Sequence, residues 1–183
     1  MEVTGDYKMS EFEEHFITTF TGHKFHYLKP QDNEICIEDI AHALALTCRF
    51  GGHCKEFYSV AEHSVRVANI VEEQYKLKAL LHDAHEAYLH DVVRPIKHDM
   101  PQYKIFADRI QGVINIKFLC SKNGDTEIKL ADDTMLATEA NVVMTTTEDW
   151  ANLPEPGKPF TPMNWRNAER QFLKRFKMYT GRK

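Results

Sequence analysis

His63 and Asp132 each stand within an apolar helical stripe, and those two placements constrain the chain more than anything else in it. His63 lies between Val60 and Val67, and Asp132 shares its stripe with Ile128, Met135, Leu136, Glu139 and Val143. A carboxylate turned toward a core is costly unless it is paired, protonated or metal-bound. Taken singly, His63 reads as a hydrogen-bonded core histidine, and Asp132 as a helix cap or the partner of Lys129. The segment LLHDAHEAYLHD, residues 80–91, changes that reading. In it His82 and Asp83 are adjacent and Glu86 follows one turn later, so a regular helix crowds all three into one quadrant. Two carboxylates and an imidazole on one patch perturb one another unless a cation sits between them. One divalent ion held by His63, His82, Asp83 and Asp132 satisfies all four, and Zn²⁺, Mn²⁺, Fe²⁺, Co²⁺ or Mg²⁺ is compatible with such donors.

The rest of the chain reads as one mostly helical domain with a small N-terminal β-hairpin. Residues 17–28 alternate aromatic and β-branched positions around Thr21-Gly22, a hairpin pattern. Helical spacing recurs over residues 37–48, 60–74, 76–89, 103–119, 127–144 and 164–179. Ser59 and Glu62 stand at the spacing of a capping box at the head of the second of these. Residues 1–15 are polar and expected to be loosely ordered, and residues 153–162 form a proline-rich loop.

Composition narrows the functional classes. At a net charge of −4, nothing in the balance favours nucleic acid or an anionic membrane surface. The acidic first residues do not resemble a signal peptide, and no run approaches the ~20 apolar residues of a membrane span. The four cysteines form no C-x-x-C pair and read as reduced thiols, in keeping with a cytoplasmic protein. The basic positions Arg166, Arg170, Lys174, Arg175, Lys177, Arg182 and Lys183 read as a solvated face opposite Trp165 and Phe172, with a nucleic-acid surface as the alternative.

The ordered set H…HD…D (His63, His82-Asp83, Asp132) resembles the HD superfamily of metal-dependent phosphohydrolases. The segments Y-S-V-A-E-H-S, L-L-H-D-A-H-E-A-Y and A-D-D-T-M-L-A-T-E-A are similar to its small bacterial and phage branch, related to 5'-deoxynucleotidases. I-T-T-F-T-G, I-E-D-I-A-H-A-L and C-R-F-G-G-H resemble a phage and prophage subgroup, and the likeness runs over residues 17–140. The resemblance implies an all-α HD bundle with His63, His82, Asp83 and Asp132 as metal ligands. It implies Glu86 as the residue that orients or activates the attacking water and Asp91 as a carboxylate near the substrate sugar. It sets Arg49-Phe50 where relatives place an Arg-aromatic pair against phosphate and sugar or base, usually with Trp as the aromatic. His90 departs from the pattern, standing where relatives usually carry glycine. Lys97 adds charge for a phosphate or is simply solvated. A nucleotide substrate and a homo-oligomer are further implications.

Four activities stay open at this point. The first is hydrolysis of deoxynucleoside 5'-monophosphates. The second is release of triphosphate from a dNTP such as dATP, for which Arg49, Lys55, Arg94 and Lys97 are the available cations. The third is non-catalytic binding of metal or nucleic acid. The fourth is a two-iron oxygenase using the spare histidines His85 and His90.

Overall fold

The most deeply buried helix is α2 (Val60–Ile70), which buries eight of its eleven residues, Val60 to Val65 together with Val67 and Ala68. The computed structural model describes residues 15–147 and 152–181. The expected loose start therefore falls, for residues 1–14, outside the described residues, as do Arg182 and Lys183. The fold is all-α apart from one antiparallel hairpin, β1 (Ile17–Thr18) and β2 (Lys24–Phe25), with Ile17 opposite Phe25. The hairpin is tied to α1 (Ile37–Leu46) by Asp39, which accepts from the Thr21 amide at 2.7 Å and the Thr21 hydroxyl at 2.8 Å.

Helix α2 begins where the sequence places it, with the Ser59 hydroxyl accepting from the Glu62 amide at 3.1 Å. Only half of the capping box forms. The Glu62 carboxylate turns to Arg66 at 2.6 Å and to the Met163 amide at 2.7 Å, pinning the proline-rich loop onto α2. The helix also stops at Ile70, not near residue 74, and Ile70 lies at the surface instead of on the buried stripe.

A larger correction concerns residues 76–89, read above as one helix. They form α3 (Lys76–Leu80), a run of turns over residues 81–85, and α4 (Glu86–Leu89). Within the break the amides of Ala84 and Glu86 bond three residues back, to Leu81 and Asp83, at 3.0 Å each. The cause is local: His82 Nδ1 takes the Ala79 carbonyl at 2.7 Å, the acceptor that an unbroken helix gives to the Asp83 amide.

The remaining helices are α5 (Arg94–His98), α6 (Pro101–Lys117), α7 (Asp125–Val143) and α8 (Trp165–Thr180). Pro95 and Pro101 stand in the first turns of α5 and α6, where a missing amide hydrogen costs nothing. Gly124 starts α7 at φ 92°, and the Tyr75 ring occupies the space a Cβ would need. Helix α8 packs across α1, α2 and α3 through Ala168, Phe172 and Phe176, while α7 packs on α2. That stacking carries one face of α7 to His63 and leaves a cleft closed by residues 90–98.

Candidate metal centre and cleft

Two helices, α2 and α7, and the break between α3 and α4 bring the expected ligands together. His63 is fully buried on α2, its Nε2 lying 3.2 Å from Asp132 Oδ1 on α7. His82, at the break, sets its own Nε2 3.3 Å from that of His63 and 4.0 Å from Asp132 Oδ1. His63, His82 and Asp132 form a group able to hold a metal ion. Asp83 joins at the edge of this group, Oδ2 lying 3.2 Å from His82 Nε2 and 3.6 Å from His63 Nε2. Neither His85 nor His90 is part of it.

The two imidazoles are oriented for a cation. His63 Nδ1 lies 2.6 Å from Glu139 Oε1, and His82 Nδ1 lies 2.7 Å from the Ala79 carbonyl. Both partners are acceptors only, so both Nδ1 atoms carry the hydrogen, and each ring in its neutral form turns an unshared Nε2 pair toward the other. Ligand atoms bonded at ~2.0–2.1 Å around one tetrahedral ion sit about 3.3 Å apart, close to the 3.2–3.3 Å of three pairs here, while His63–Asp83 at 3.6 Å and His82–Asp132 at 4.0 Å stand wider. Without an ion, a proton is the alternative cation. Burial disfavours charge on His82, but the Asp83 and Asp132 carboxylates outweigh it and push its pKa up to about 9. Burial likewise opposes charge on Asp132, and the hydrogen bond and charge of His63 outweigh it, holding Asp132 far below the usual carboxylate range.

Glu139 organises the floor. It is fully buried, accepts from His63, from the Tyr58 hydroxyl at 2.8 Å and from Arg49 Nε at 3.1 Å, and is ion-paired with Arg49 Nη2 at 3.0 Å. Its two charged partners hold its pKa below the ordinary value despite burial. The sequence reading saw Glu139 only as a member of a stripe. The signal lay there: a second carboxylate seven residues after Asp132 on the same apolar face.

Above the floor opens a cleft of ≈ 340 Å³. Asp83 and Asp132 lie at its base, Arg49, Phe50, Glu86 and Asp91 on its walls, and Arg94 and Lys97 on α5. All of the expected catalytic and substrate-facing residues therefore meet one space. Their pairings are specific. Arg49 is buried and committed to Glu139, with Nη1 3.8 Å from Asp83. Phe50 adopts φ 57°, with its ring 5.4 Å from the Arg49 guanidinium. Lys97 is no solvated lysine: it donates to Glu86 Oε1 at 2.5 Å and lies 3.6 Å from Asp91.

Glu86 lines the cleft, bonded to Lys97, and is not part of the group able to hold an ion. Burial raises its pKa well above the usual carboxylate range, Asp83 and Asp91 add to that, and Lys97 opposes it. Its second oxygen, Oε2, is buried with no hydrogen-bond partner among the described residues. A carboxyl of raised pKa with one bare oxygen holds a proton more readily than an ordinary carboxylate and can pass one on.

His90 answers for its departure from glycine through its backbone. It sits at φ 63°, ψ 161°, a region that side chains rarely occupy. The Tyr103 hydroxyl, donating to the His90 carbonyl at 2.7 Å, helps hold that turn, and Asp91 follows directly into the cleft. Tyr103 carries no motif and the sequence reading passed over it.

Of the described basic residues of α8, Arg166, Arg170, Lys174 and Lys177 are exposed at helical spacing on the side opposite buried Phe172, the solvated face expected. Arg166 lies over the Trp165 ring at 4.4 Å and Arg175 binds Asn69 at 3.1 Å. Among the described residues no helix is long and apolar enough to cross a membrane.

No protein-family model matches the chain. Over 124 residues it is 44% identical to the Escherichia coli K12 protein YfdR, described as uncharacterized, a span that takes in 68% of this chain and 70% of that one. Over 108 residues it is 36% identical to an uncharacterized protein of Rhodobacter capsulatus, covering 54% of this chain and 55% of the relative.

Proposed function

The chain belongs to the family of the Escherichia coli protein YfdR, and we propose that it is a metal-dependent phosphohydrolase that removes phosphate from deoxynucleoside 5'-monophosphates. One observation carries this reading. Two imidazoles and two carboxylates converge at the base of a cleft whose wall holds a buried glutamate with a bare oxygen. The resemblance to HD phosphohydrolases supports the same chemistry.

His63, His82, Asp83 and Asp132 hold a divalent ion in this reading. When bound, the ion withdraws charge from a phosphoryl oxygen and makes water more acidic. The chain's own residues do the rest. Glu86 Oε2 orients the attacking water and takes its proton, and a pKa raised by burial makes it a stronger base than an ordinary carboxylate. Lys97 keeps Glu86 aimed from the side of Oε1. Arg49 presents Nη1 to a phosphate oxygen while Glu139 holds the rest of its fork. Phe50 offers its ring to the sugar or base, and Asp91 accepts from a sugar hydroxyl.

The cleft favours a monophosphate over a triphosphate. Its ≈ 340 Å³ lies near the lower end of the ~300–1,000 Å³ typical of small-molecule sites. Arg49 and Lys97 are already paired with Glu139 and Glu86, which leaves Arg94, 62% exposed at the side chain, as the least committed cation lining the cleft. The test is a panel of dNMPs, NMPs and dNTPs with Mn²⁺, Co²⁺ or Zn²⁺. Inorganic phosphate should appear from dNMPs. Glu86→Ala should lower kcat by roughly 10²–10⁴-fold while metal still binds. Triphosphate release from dNTPs would move the assignment to a triphosphohydrolase. Turnover that survives His82→Ala in a folded protein would sink the metal-hydrolase reading.

A further inference from the structure

The loop bearing Arg49 and Phe50 is bracketed by two cysteines that the proposed chemistry does not use. Cys48 Sγ and Cys54 Sγ lie 3.5 Å apart, each thiol placed to donate to the other. The backbone around each is anchored. Cys48 forms an antiparallel bridge with Ser59, and the amide of Lys55, next to Cys54, donates to the Val143 carbonyl at 2.8 Å. Between these anchors Phe50, Gly51 and Gly52 all take positive φ (57°, 60° and 80°), which folds the chain back and brings the sulfurs together.

We propose that Cys48 and Cys54 are an oxidation site, closing a reversible intramolecular disulfide across the Arg49–Phe50 loop. Only its effect on turnover rests on the hydrolase reading. A disulfide requires an S–S separation of ~2.05 Å, so about 1.5 Å must be taken up by side-chain rotation and by the loop. The loop has little freedom to absorb this without moving Arg49, whose carbonyl touches Cys54 Sγ at 3.9 Å and whose guanidinium holds Glu139. Glu139 in turn orients His63.

The oxidant class is a peroxide. Cys48 lines a second opening of ≈ 400 Å³ beside His90 and Asp91, which gives a small oxidant a route to it. Its thiolate attacks one peroxide oxygen, forming sulfenic acid and expelling hydroxide, which takes up a proton as water. The Cys54 sulfur then attacks the sulfenic sulfur, and the hydroxyl leaves with the Cys54 proton as a second water. The sum is two thiols and one hydrogen peroxide to one disulfide and two waters. A dithiol reductant reverses it. Burial, with the neighbouring Cys48 thiol, raises the pKa of Cys54, so closure should be faster at alkaline pH.

The full-length reduced protein is treated with hydrogen peroxide and quenched with catalase. Two of the four thiols should become untitratable together, with the mass falling by two hydrogens and Cys36 and Cys120 still free. Trypsin, cutting after Arg49 and Lys55, should yield the two peptides joined. Amide exchange over residues 50–54 should slow several-fold, and phosphate release should fall several-fold and recover with dithiothreitol. Cys48→Ser should abolish every one of these changes while leaving turnover of the reduced protein intact. Independent titration of the two thiols, or pairing with another cysteine or another chain, overturns the proposal. So does equal peroxide inhibition of Cys48→Ser. A joined pair with slowed exchange in a protein inert toward every nucleotide upholds the oxidation site and removes the hydrolase assignment.

Discussion

The floor of the cleft and its α5 wall are built in opposite ways. The floor is made of side chains on long helices: His63 on α2, with Asp132 and Glu139 on α7, all at or near the core. Their helices are packed into the apolar core, and Glu139 by itself joins Tyr58, His63 and Arg49. The wall is the short segment 90–98, held by one strained residue, a five-residue helix and two lysine contacts. A rigid floor suits chemistry that tolerates little misplacement. A wall held by a few polar contacts can yield to what enters, so in the proposed function it is the part to set substrate choice.

Disturbing the floor should have the largest effects. Glu139→Gln keeps the shape but removes the charge that compensates buried Arg49, so stability should fall by about 3 kcal/mol in chemical denaturation. The same change loosens His63 and should weaken metal binding by about 10–100-fold in calorimetry. A loss confined to turnover, with metal affinity unchanged, would show that the floor does not work through His63.

Protons should compete with metal at the same floor. With its pKa at about 9, His82 carries a proton in the metal-free protein at neutral pH. Metal uptake must expel it, so affinity should rise about tenfold per pH unit up to pH ~9. The sign for stability is the reverse. A raised folded-state pKa contributes stability that is complete below the unfolded value of about 6.5 and is lost as pH rises through about 9. Metal-free protein should therefore lose this contribution between those limits, and saturating metal should cancel the trend. Thermal melts across that range check both halves.

Changes to the wall should be milder. Tyr103→Phe removes the hydrogen bond to the His90 carbonyl, worth about 1 kcal/mol. KM should rise several-fold through misplaced Asp91 and Lys97 while metal affinity stays constant. A fall in metal affinity would blur the division between floor and wall. The smallest effect should come from His90→Gly, which relieves a left-handed side-chain position and should stabilise the protein by about 1 kcal/mol. Combined with Tyr103→Phe, it should reduce the penalty of the latter, because a glycine at that turn needs less holding.

The helices were legible because a helix writes its own period: apolar spacing located α1, α2, α6, α7 and α8 to within a few residues, and Ser59 marked the start of α2. Polar residues on those stripes, His63 and Asp132, were legible as a site for the same reason, since a buried charge demands a partner. What the sequence could not supply was long-range or conformational. Apolar spacing does not reveal that His82 takes the Ala79 carbonyl where its helix breaks, nor that Glu86 meets Lys97, eleven residues on. Nothing local says that Glu139, 76 residues from His63, would fix its ring. The positive φ of His90 and the meeting of Cys48 with Cys54 belong to the same class. Periodicity is a property of neighbours along the chain, whereas hydrogen-bond partners and backbone strain are chosen by the packing of elements far apart in it, and only the tertiary structure decides those.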